Sequence, residues 1–398
     1  MLRIQSHRLS GLINKQVLVS SALIVNAFVW YFTVIIPLHA SELSVWTWFI
    51  HFLGITISAL LGGSLAKRIE RSHLLIFWML LGTVSSLFLF VITVDSLLVI
   101  SIVSLLLGVS LGLGMPACMS YFTDSVDIEK RGRVSGIVLF FTGMGIFVFG
   151  FAAQVILVDY LLLGGVLVVW RLFSLLLFLS VKSFRTIERK KSFGSYKDIL
   201  KQQSFLLYFL PWVMFSVITY MGASVEPTNA FELQIIQTVF MGTFALLGGF
   251  LLDSIGRKRI TIAGFAALGL GSAIHGVSSE GIILYFNAIT DGIGGGLILV
   301  VFIMVIWSDL SHNSASDKYY ALGVLPFFAS FFLEIAIGQF ISNNIISDSA
   351  TFSLTAFFLF LAVLPLVYTP ETLPKKIIKE RELKGYLENA QKIKEKYA

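Results

Sequence analysis

The chain has 398 residues, of which 57% are hydrophobic and 13% carry a charged side chain. Soluble domains are typically about 45–50% apolar and about 25% charged, so this chain has too few charges to cover a water-facing surface. With a mean hydropathy of +0.88 it is expected to be an integral membrane protein, and its net charge of +6 does not indicate a nucleic-acid partner. Because Cys118 is the only cysteine, an intrachain disulfide and a cysteine-based metal site are excluded. No metal and no cofactor are expected.

Twelve apolar stretches are long enough to cross the hydrocarbon core as helices, which takes about 20 residues each. They are longer than the roughly ten-residue alternating strands of a membrane β-barrel, so the expected fold is all-α. The stretches cover 17–37, 45–66, 74–94, 96–122, 134–157, 160–181, 205–225, 233–252, 260–279, 281–307, 320–343 and 350–368.

Lysine and arginine are distributed unevenly between the connecting loops. If the N-terminus lies in the cytoplasm, the cytoplasmic segments hold 28 of the 29 Lys and Arg residues and the external loops hold none. Basic loops stay on the cytoplasmic side, so both termini are expected there, with the plasma membrane as the default location. The first apolar run is longer than a signal-peptide core, and it is expected to be retained as the first helix.

A long basic loop divides the chain into two parts. It covers 182–204 and separates an N-terminal half at 1–181 from a C-terminal half at 205–368, which is followed by a tail at 369–398. Both halves begin on the predicted cytoplasmic side. The sequence therefore predicts two six-helix bundles related by a parallel pseudo-repeat, an arrangement found in secondary transporters that bind substrate between the halves.

Two short segments of the halves align at nearly the same offset. Gly63-Ser-Leu-Ala-Lys67 aligns with Gly249-Phe-Leu-Leu-Asp253, and Phe122-Thr-Asp124 aligns with Trp307-Ser-Asp309. Both matches lie after even-numbered stretches on the predicted cytoplasmic side. The positions of the matches support the pseudo-repeat, although each match is weak by itself.

The segment after the eighth stretch carries a longer motif. Gly249 is followed by Asp253, by Gly256 and then by the basic residues 257–259. This spacing resembles the signature that the major facilitator superfamily carries between its eighth and ninth helices. The first-half copy departs from that signature, since Lys67 stands where an aspartate is expected.

Two further segments resemble the same family. Arg131-Gly132-Arg133 precedes the fifth stretch, and Pro370-Glu371-Thr372 follows the twelfth and is similar to a tail motif of the family's sugar-transporter branch. Together with the twelve stretches, the resemblance covers nearly the whole chain. It implies a transporter that works by alternating access, and it does not specify the substrate.

Asp253 is predicted to lie at the cytoplasmic end of the eighth helix. There it can meet a helix N-terminus, whose unpaired N–H groups favour negative charge. The resemblance implies that this is the start of the fifth helix and that the contact closes an inner gate. The gate candidates are Gly249, Asp253, Gly256, Arg257, Lys258, Arg131 and Arg133. The alternative is a basic loop that only fixes the topology.

The departure at Lys67 leaves two interpretations open. The two gates are unequal, or Lys67 pairs with Asp309 or Asp317 instead.

Ionisable and amide side chains within the predicted spans form the candidate substrate and proton site. Charge inside a membrane is costly, so such residues are functional candidates by default. Asp291 and Glu334 are candidates for proton or substrate binding, and Arg171 is a candidate partner of an anionic substrate. The amides in this set are Asn287, Gln154, Gln237 and Asn26. The alternative for each residue is a buried side chain satisfied by a neighbouring helix.

The expected function is secondary active transport of a small solute, proton-coupled, with a sugar or an organic ion as the leading substrate classes. A drug efflux antiporter and a transporter-like sensor that binds without transport are the alternatives. An enzyme is not expected, because no nucleophile–base set or metal set is evident. No Gly-Lys dipeptide occurs in the chain, so an ATPase would have to be a separate subunit. The expected partners are the solute, protons and the lipid bilayer.

Overall fold

The computed structural model describes residues 14–40, 45–89, 96–155, 159–180, 194–218, 230–278, 281–311, 314–330, 332–333, 348–374 and 383. Nearly all of these residues are helical, which confirms the all-α prediction. Nine helices within them are long and apolar enough to cross a membrane. The number of twelve spans and their division into two bundles stay predictions.

The first seven helices, here called the N-terminal helices, precede the basic loop. They are α1 (Lys15–Ala40), α2 (Val45–Leu65), α3 (Arg71–Leu87), α4 (Leu97–Gly112), α5 (Met115–Ser125), α6 (Arg131–Val155) and α7 (Tyr160–Leu179). The fourth predicted stretch is divided into α4 and α5. Pro116 lies in the first turn of α5, where its missing N–H group costs no hydrogen bond.

A short helix, α8 (Tyr196–Leu200), lies in the basic loop. The C-terminal helices that follow are α9 (Gln203–Ile218), α10 (Ala230–Ser254), α11 (Arg257–Val277), α12 (Ile282–Leu299), α13 (Ile306–Ser311), α14 (Asp317–Gly323), α15 (Asp348–Leu361) and α16 (Val363–Tyr368). A π-helical segment, Val300–Val305, joins α12 to α13. In this segment Phe302 stacks on Trp212 of α9 with ring centroids 4.8 Å apart.

Glycines bring α6 and α10 into close contact. A Cβ atom at Gly249 would lie 2.4 Å from the carbonyl oxygen of Gly132 and 2.8 Å from the Cα of Gly136. Small residues at such crossings let membrane helices approach backbone to backbone. The crossing places Asp253, one turn beyond Gly249, at the first turn of α6.

Two buried ion pairs occupy matching positions of the sequence alignment between the halves. Arg71 contacts Asp124 at 2.9 Å, and Arg257 contacts Asp309 at 3.1 Å. The arginines begin α3 and α11, and the aspartates lie near the ends of α5 and α13. The weak sequence match around Asp124 and Asp309 thus corresponds to an equivalent arginine–aspartate ion pair on each side of the basic loop.

Candidate functional site

Asp253 joins the end of α10 to the start of α6. Its Oδ1 accepts a hydrogen bond from the N–H of Gly132 and its Oδ2 accepts one from the N–H of Arg133, both at 2.9 Å. These N–H groups have no partner within their own helix, so a carboxylate is favoured there. Arg133 and Arg257 add ion pairs at 3.6 and 3.4 Å. The contact expected from the sequence is therefore present.

Asp309 is a second junction at the same end of the bundle. Its carboxylate contacts Arg131 at 2.6 Å and Arg257 at 3.1 Å, and it accepts a hydrogen bond from Thr372 at 3.2 Å. The two arginine gate candidates thus contact different aspartates, since Arg131 pairs with Asp309 and Arg133 pairs with Asp253. Positions 131 and 133 are two residues apart, so on a helix their side chains point in different directions.

Asp317, at the start of α14, makes the third junction. It contacts Arg71 at 3.5 Å and accepts a hydrogen bond from Ser120 at 3.0 Å. The suggested pairing of Lys67 with Asp309 or Asp317 is wrong, because both carboxylates contact buried arginines and the side chain of Lys67 is exposed.

The contact between Arg71 and Asp317 is not predicted by the motifs of the sequence. The offset that aligns Lys67 with Asp253 also aligns Arg71 with Arg257, four residues further along the chain. Extending the alignment by four residues therefore identifies Arg71 as a candidate.

Gly256 and Glu371 fix the turn between α10 and α11. Gly256 has a φ of 117°, a backbone conformation that favours glycine. The Glu371 carboxylate accepts hydrogen bonds from the N–H groups of Arg257 and Lys258 at 2.9 and 3.2 Å, and so caps α11. The Lys258 ammonium donates to the carbonyl of Val367 at 2.6 Å. Lys258 therefore joins the start of α11 to the segment around the tail motif, and its hydrogen bonds are separate from those of the three aspartate junctions.

Helix α8 of the basic loop contacts both sets of helices. The Tyr196 hydroxyl donates to the carbonyl of Leu60 in α2 at 2.6 Å. The Lys318 ammonium of α14 lies over the Tyr196 ring at 5.1 Å and donates to the carbonyl of Gly194 at 2.8 Å. Burial raises the pKa of Tyr196 to about 12, so its hydroxyl keeps the proton that it donates. The first-half motif lacks an aspartate, and Tyr196 supplies a polar link to the same helix one to two turns earlier, beside Gly63.

Replacing Tyr196 with phenylalanine removes this hydrogen bond and keeps the ring. We expect the free energy of unfolding to fall by about 1 kcal/mol, which is typical of one buried hydrogen bond, measured by denaturant titration in detergent. Tyr285→Phe is the matched control, since the Tyr285 hydroxyl bonds Glu232 at an exposed site. Equal effects of the two substitutions would contradict a special role for Tyr196.

Arg171 is buried in α7 between two tryptophans. Its guanidinium lies 4.9 Å from the ring centre of Trp30 and 4.6 Å from that of Trp78. It donates to the side-chain oxygen of Asn26 at 3.2 Å, and a Cβ atom at Gly82 would lie 2.4 Å from it. Among the described residues no carboxylate lies within ion-pair distance of it. Arg171 and Asn26 are thus packed against each other and join α1, α3 and α7, which fits the alternative of a buried side chain satisfied by neighbouring helices.

Arg171→Lys is expected to lower the free energy of unfolding by roughly 1–3 kcal/mol. A lysine cannot stack on both indoles or present the planar fork that reaches Asn26. The change is measured as a lower thermal midpoint of the purified protein. If Arg171 instead binds substrate, the substitution will change substrate affinity and leave the midpoint unchanged.

The intramembrane acids are only partly covered by the described residues. Asp291 is partly buried in α12 and accepts a hydrogen bond from the side-chain amide of Asn287, one turn earlier, at 3.0 Å. Within the part of the chain that the structure describes, Asp291 has no ion-pair partner. Gln237 is partly buried in α10, on the segment that packs against α12. Glu334 and the side chain of Gln154 lie outside the described residues.

Comparison with solved structures identifies the same architecture in transporters. A proton:xylose symporter, XylE, bound to 6-bromo-6-deoxy-D-glucose has a TM-score of 0.75 at 16% identity, over 91% of this chain and 97% of that one. The human organic anion transporter MFSD10 has a TM-score of 0.69 at 12% identity, over 89% of this chain and 100% of that one. A double-tryptophan XylE mutant has a TM-score of 0.67 at 16% identity, over 92% and 98%. At these identities the likeness concerns the fold.

Sequence comparison gives the family. No curated protein matches the chain. A family profile described as the Major Facilitator Superfamily matches residues 18–234, which is more than half of the chain. The resemblance found in the motifs is thereby confirmed, and the chain belongs to the Major Facilitator Superfamily.

Proposed function

We propose that this protein is a secondary transporter that moves a small solute by alternating access. The observation that carries the proposal is the set of three junctions at one end of the bundle: Asp253 with the start of α6, Asp309 with Arg131, and Asp317 with Arg71. Each joins an N-terminal helix to a C-terminal one. Each is made by an aspartate side chain, and the N–H groups that Asp253 accepts from belong to the unpaired first turn of α6, so the junctions can open without breaking any helix.

The solute class is a matter for direct test. One solved relative is named a proton:xylose symporter and another an organic anion transporter, which supports screening sugars and organic ions first. Lipophilic aromatic compounds form the third class, because drug efflux is the alternative function. The test is uptake into proteoliposomes at two internal pH values, with xylose, carboxylates and aromatic compounds as probes.

Uptake and binding together separate the transporter from its alternatives. Accumulation of any probe supports transport. Binding without accumulation would instead indicate a transporter-like sensor. The orientation proposed for the plasma membrane, with both termini in the cytoplasm, is tested by protease access to terminal tags.

Asp291 is proposed as a proton carrier. A carboxylate in a membrane span with no ion-pair partner among the described residues is a functional candidate by default. Asp291→Asn keeps the shape of the side chain and removes its ability to titrate. We expect uptake to lose its dependence on the proton gradient, so that the solute equilibrates but does not accumulate, while solute exchange persists. The measurement is uptake at imposed pH gradients.

Asp127→Asn is the matched control for this substitution. Asp127 lies in the loop before α6 with 78% of its side chain exposed, so the gradient dependence should be unchanged. If Asp291→Asn still accumulates solute in response to the pH gradient, the coupling assignment is wrong. Glu334 is then the next candidate to substitute.

A further inference from the structure

A cavity of about 500 Å³ lies between the N-terminal and the C-terminal helices. It is bounded by α1 and α6 on one side, by α10 and the end of α12 on the other, and by the helical residues 325–330. Aromatic and aliphatic side chains dominate its wall, among them Phe28, Phe140, Phe147, Met241, Ile303 and Phe327. Its volume falls in the range of about 300–1,000 Å³ that is typical of small-molecule sites.

Among the described residues that line the cavity none is charged, and each threonine hydroxyl already donates a hydrogen bond within its own helix. Thr142, Thr238 and Thr243 donate to carbonyls one turn back in their own helices at 2.8, 2.7 and 2.8 Å. A sugar or a carboxylate placed here would find few described partners for the hydrogen bonds that it makes to water, and burying polar groups without such partners is costly. The chemistry of the wall therefore favours an apolar occupant.

The cavity runs from the exposed surface of the helices to the interior. Met144, Phe147 and Val239 lie at its mouth, and each has about half or more of its surface exposed. Phe28 and Ile303 lie at its back, and each is only 3% exposed. An occupant can thus enter sideways from the bilayer and reach the space between the two sets of helices, which is where secondary transporters bind substrate.

Two glycines keep the cavity open. A Cβ atom at Gly143 would meet nothing within 4 Å, and one at Gly242 would meet only a ring atom of Phe140 at 3.7 Å. Glycine is therefore not required at either position for helix packing, in contrast to Gly249. At both positions glycine leaves a volume that a larger side chain would fill.

We propose that this cavity binds an apolar aromatic compound of small-molecule size that enters from the bilayer, and that such compounds are the substrate class of the transporter. That these compounds are substrates rests on the proposed transport function, whereas their binding to the cavity can be tested separately. Five phenylalanines line the wall, Phe28, Phe32, Phe140, Phe147 and Phe327. Such rings pack favourably against an aromatic guest.

The test is photolabelling with benzophenone, an apolar aromatic probe, on the full chain in lipid nanodiscs. Benzophenone inserts preferentially at methionine, and the cavity offers the partly buried Met241 and the exposed Met144. Mass spectrometry should find Met241 labelled in a saturable manner. The double substitution Gly143→Leu with Gly242→Leu should reduce that labelling at least tenfold, and each single substitution should reduce it less.

Gly165→Leu is the matched control. Gly165 lies in α7, outside this cavity, and a Cβ atom there also meets nothing within 4 Å, so the label at Met241 should be unchanged. Labelling at Met241 that the filling substitutions leave intact would overturn the proposal. A second result would also overturn it. In that result, a phosphatidylcholine with a diazirine on its acyl chain would label Met241 equally well, and excess benzophenone would not displace it. The cavity would then bind a lipid acyl chain.

Transport assays on the same variants separate this inference from the proposed function. Saturable labelling without uptake of any compound would retain the site and reject the transporter. Uptake of xylose or a carboxylate that the filled variant retains in full, with no uptake of aromatic compounds, would reject the aromatic substrate class and retain the transporter.

Discussion

Asp253→Asn is expected to open the end of the bundle that holds the three aspartate junctions. The substitution keeps the shape of the side chain and removes the charge that faces the start of α6, Arg133 and Arg257. Hydrogen bonds to charged groups contribute about 1.5–3 kcal/mol each, and 1.4 kcal/mol is a factor of ten in a population. The closed state should lose at least tenfold in its ratio to the open state. In transport terms, an inner gate that no longer closes should lower concentrative uptake to a similar extent.

The measurement needs no substrate. Spin labels at Glu129→Cys and Ser254→Cys would report the distance between the start of α6 and the end of α10, and both positions are exposed. The native Cys118 is buried and should not react. Asp127→Asn is again the control, because its pair with Lys130 is exposed and such pairs contribute little. If Asp253→Asn leaves the closed distance distribution intact, Asp253 is only a topological anchor.

Asp309→Asn is expected to have the largest effect on stability. The Asp309 side chain has no exposed surface, and it contacts the partly buried Arg131 and the fully buried Arg257. Removing the charge leaves both guanidiniums without this partner in a low-dielectric site. Breaking a buried pair in this way typically costs about 3–5 kcal/mol. The midpoint of thermal unfolding, followed by tryptophan fluorescence in detergent, should fall clearly.

The ion pair of Asp124 with Arg71 supplies the control for this substitution. Asp124 occupies the matching position and contacts Arg71, which also has Asp317 as a partner. Asp124→Asn should therefore lower the midpoint much less than Asp309→Asn. Equal losses would show that the second arginine, Arg131, gains nothing from Asp309. A double-mutant cycle with Arg131→Met measures that coupling directly.

The sequence by itself determined the class of the protein. A backbone inside lipid must satisfy its own hydrogen bonds, so a long apolar run in this chain has to be a helix. This physical requirement is why composition and hydropathy were enough to predict an all-α membrane protein. The motif from Gly249 to the basic residues 257–259 added the family, and helix electrostatics added the contact of Asp253 with a helix N-terminus.

The tertiary structure decided which charges meet. Lys67 and Arg71 are both basic residues near the start of α3, and only the structure shows that Arg71 is buried against Asp124 and Asp317 while Lys67 is exposed. Arg131 and Arg133 are two residues apart, yet they contact Asp309 and Asp253 respectively. Such choices depend on the rotation of each helix and on the direction of its side chains, which residue type and spacing do not specify.

The same holds for the interior of the bundle. Arg171 was a substrate candidate by its charge alone, and only the structure shows that Trp30, Trp78 and Asn26 surround it. The described residues that line the cavity between α6 and α10 include no charged side chain that would mark it in the sequence. Gly143 of α6 and Gly242 of α10 both line the cavity, and neither has a side chain that would fill the space between the two helices. Empty space is a property of packing between helices distant in the chain, and therefore only the tertiary structure could reveal it.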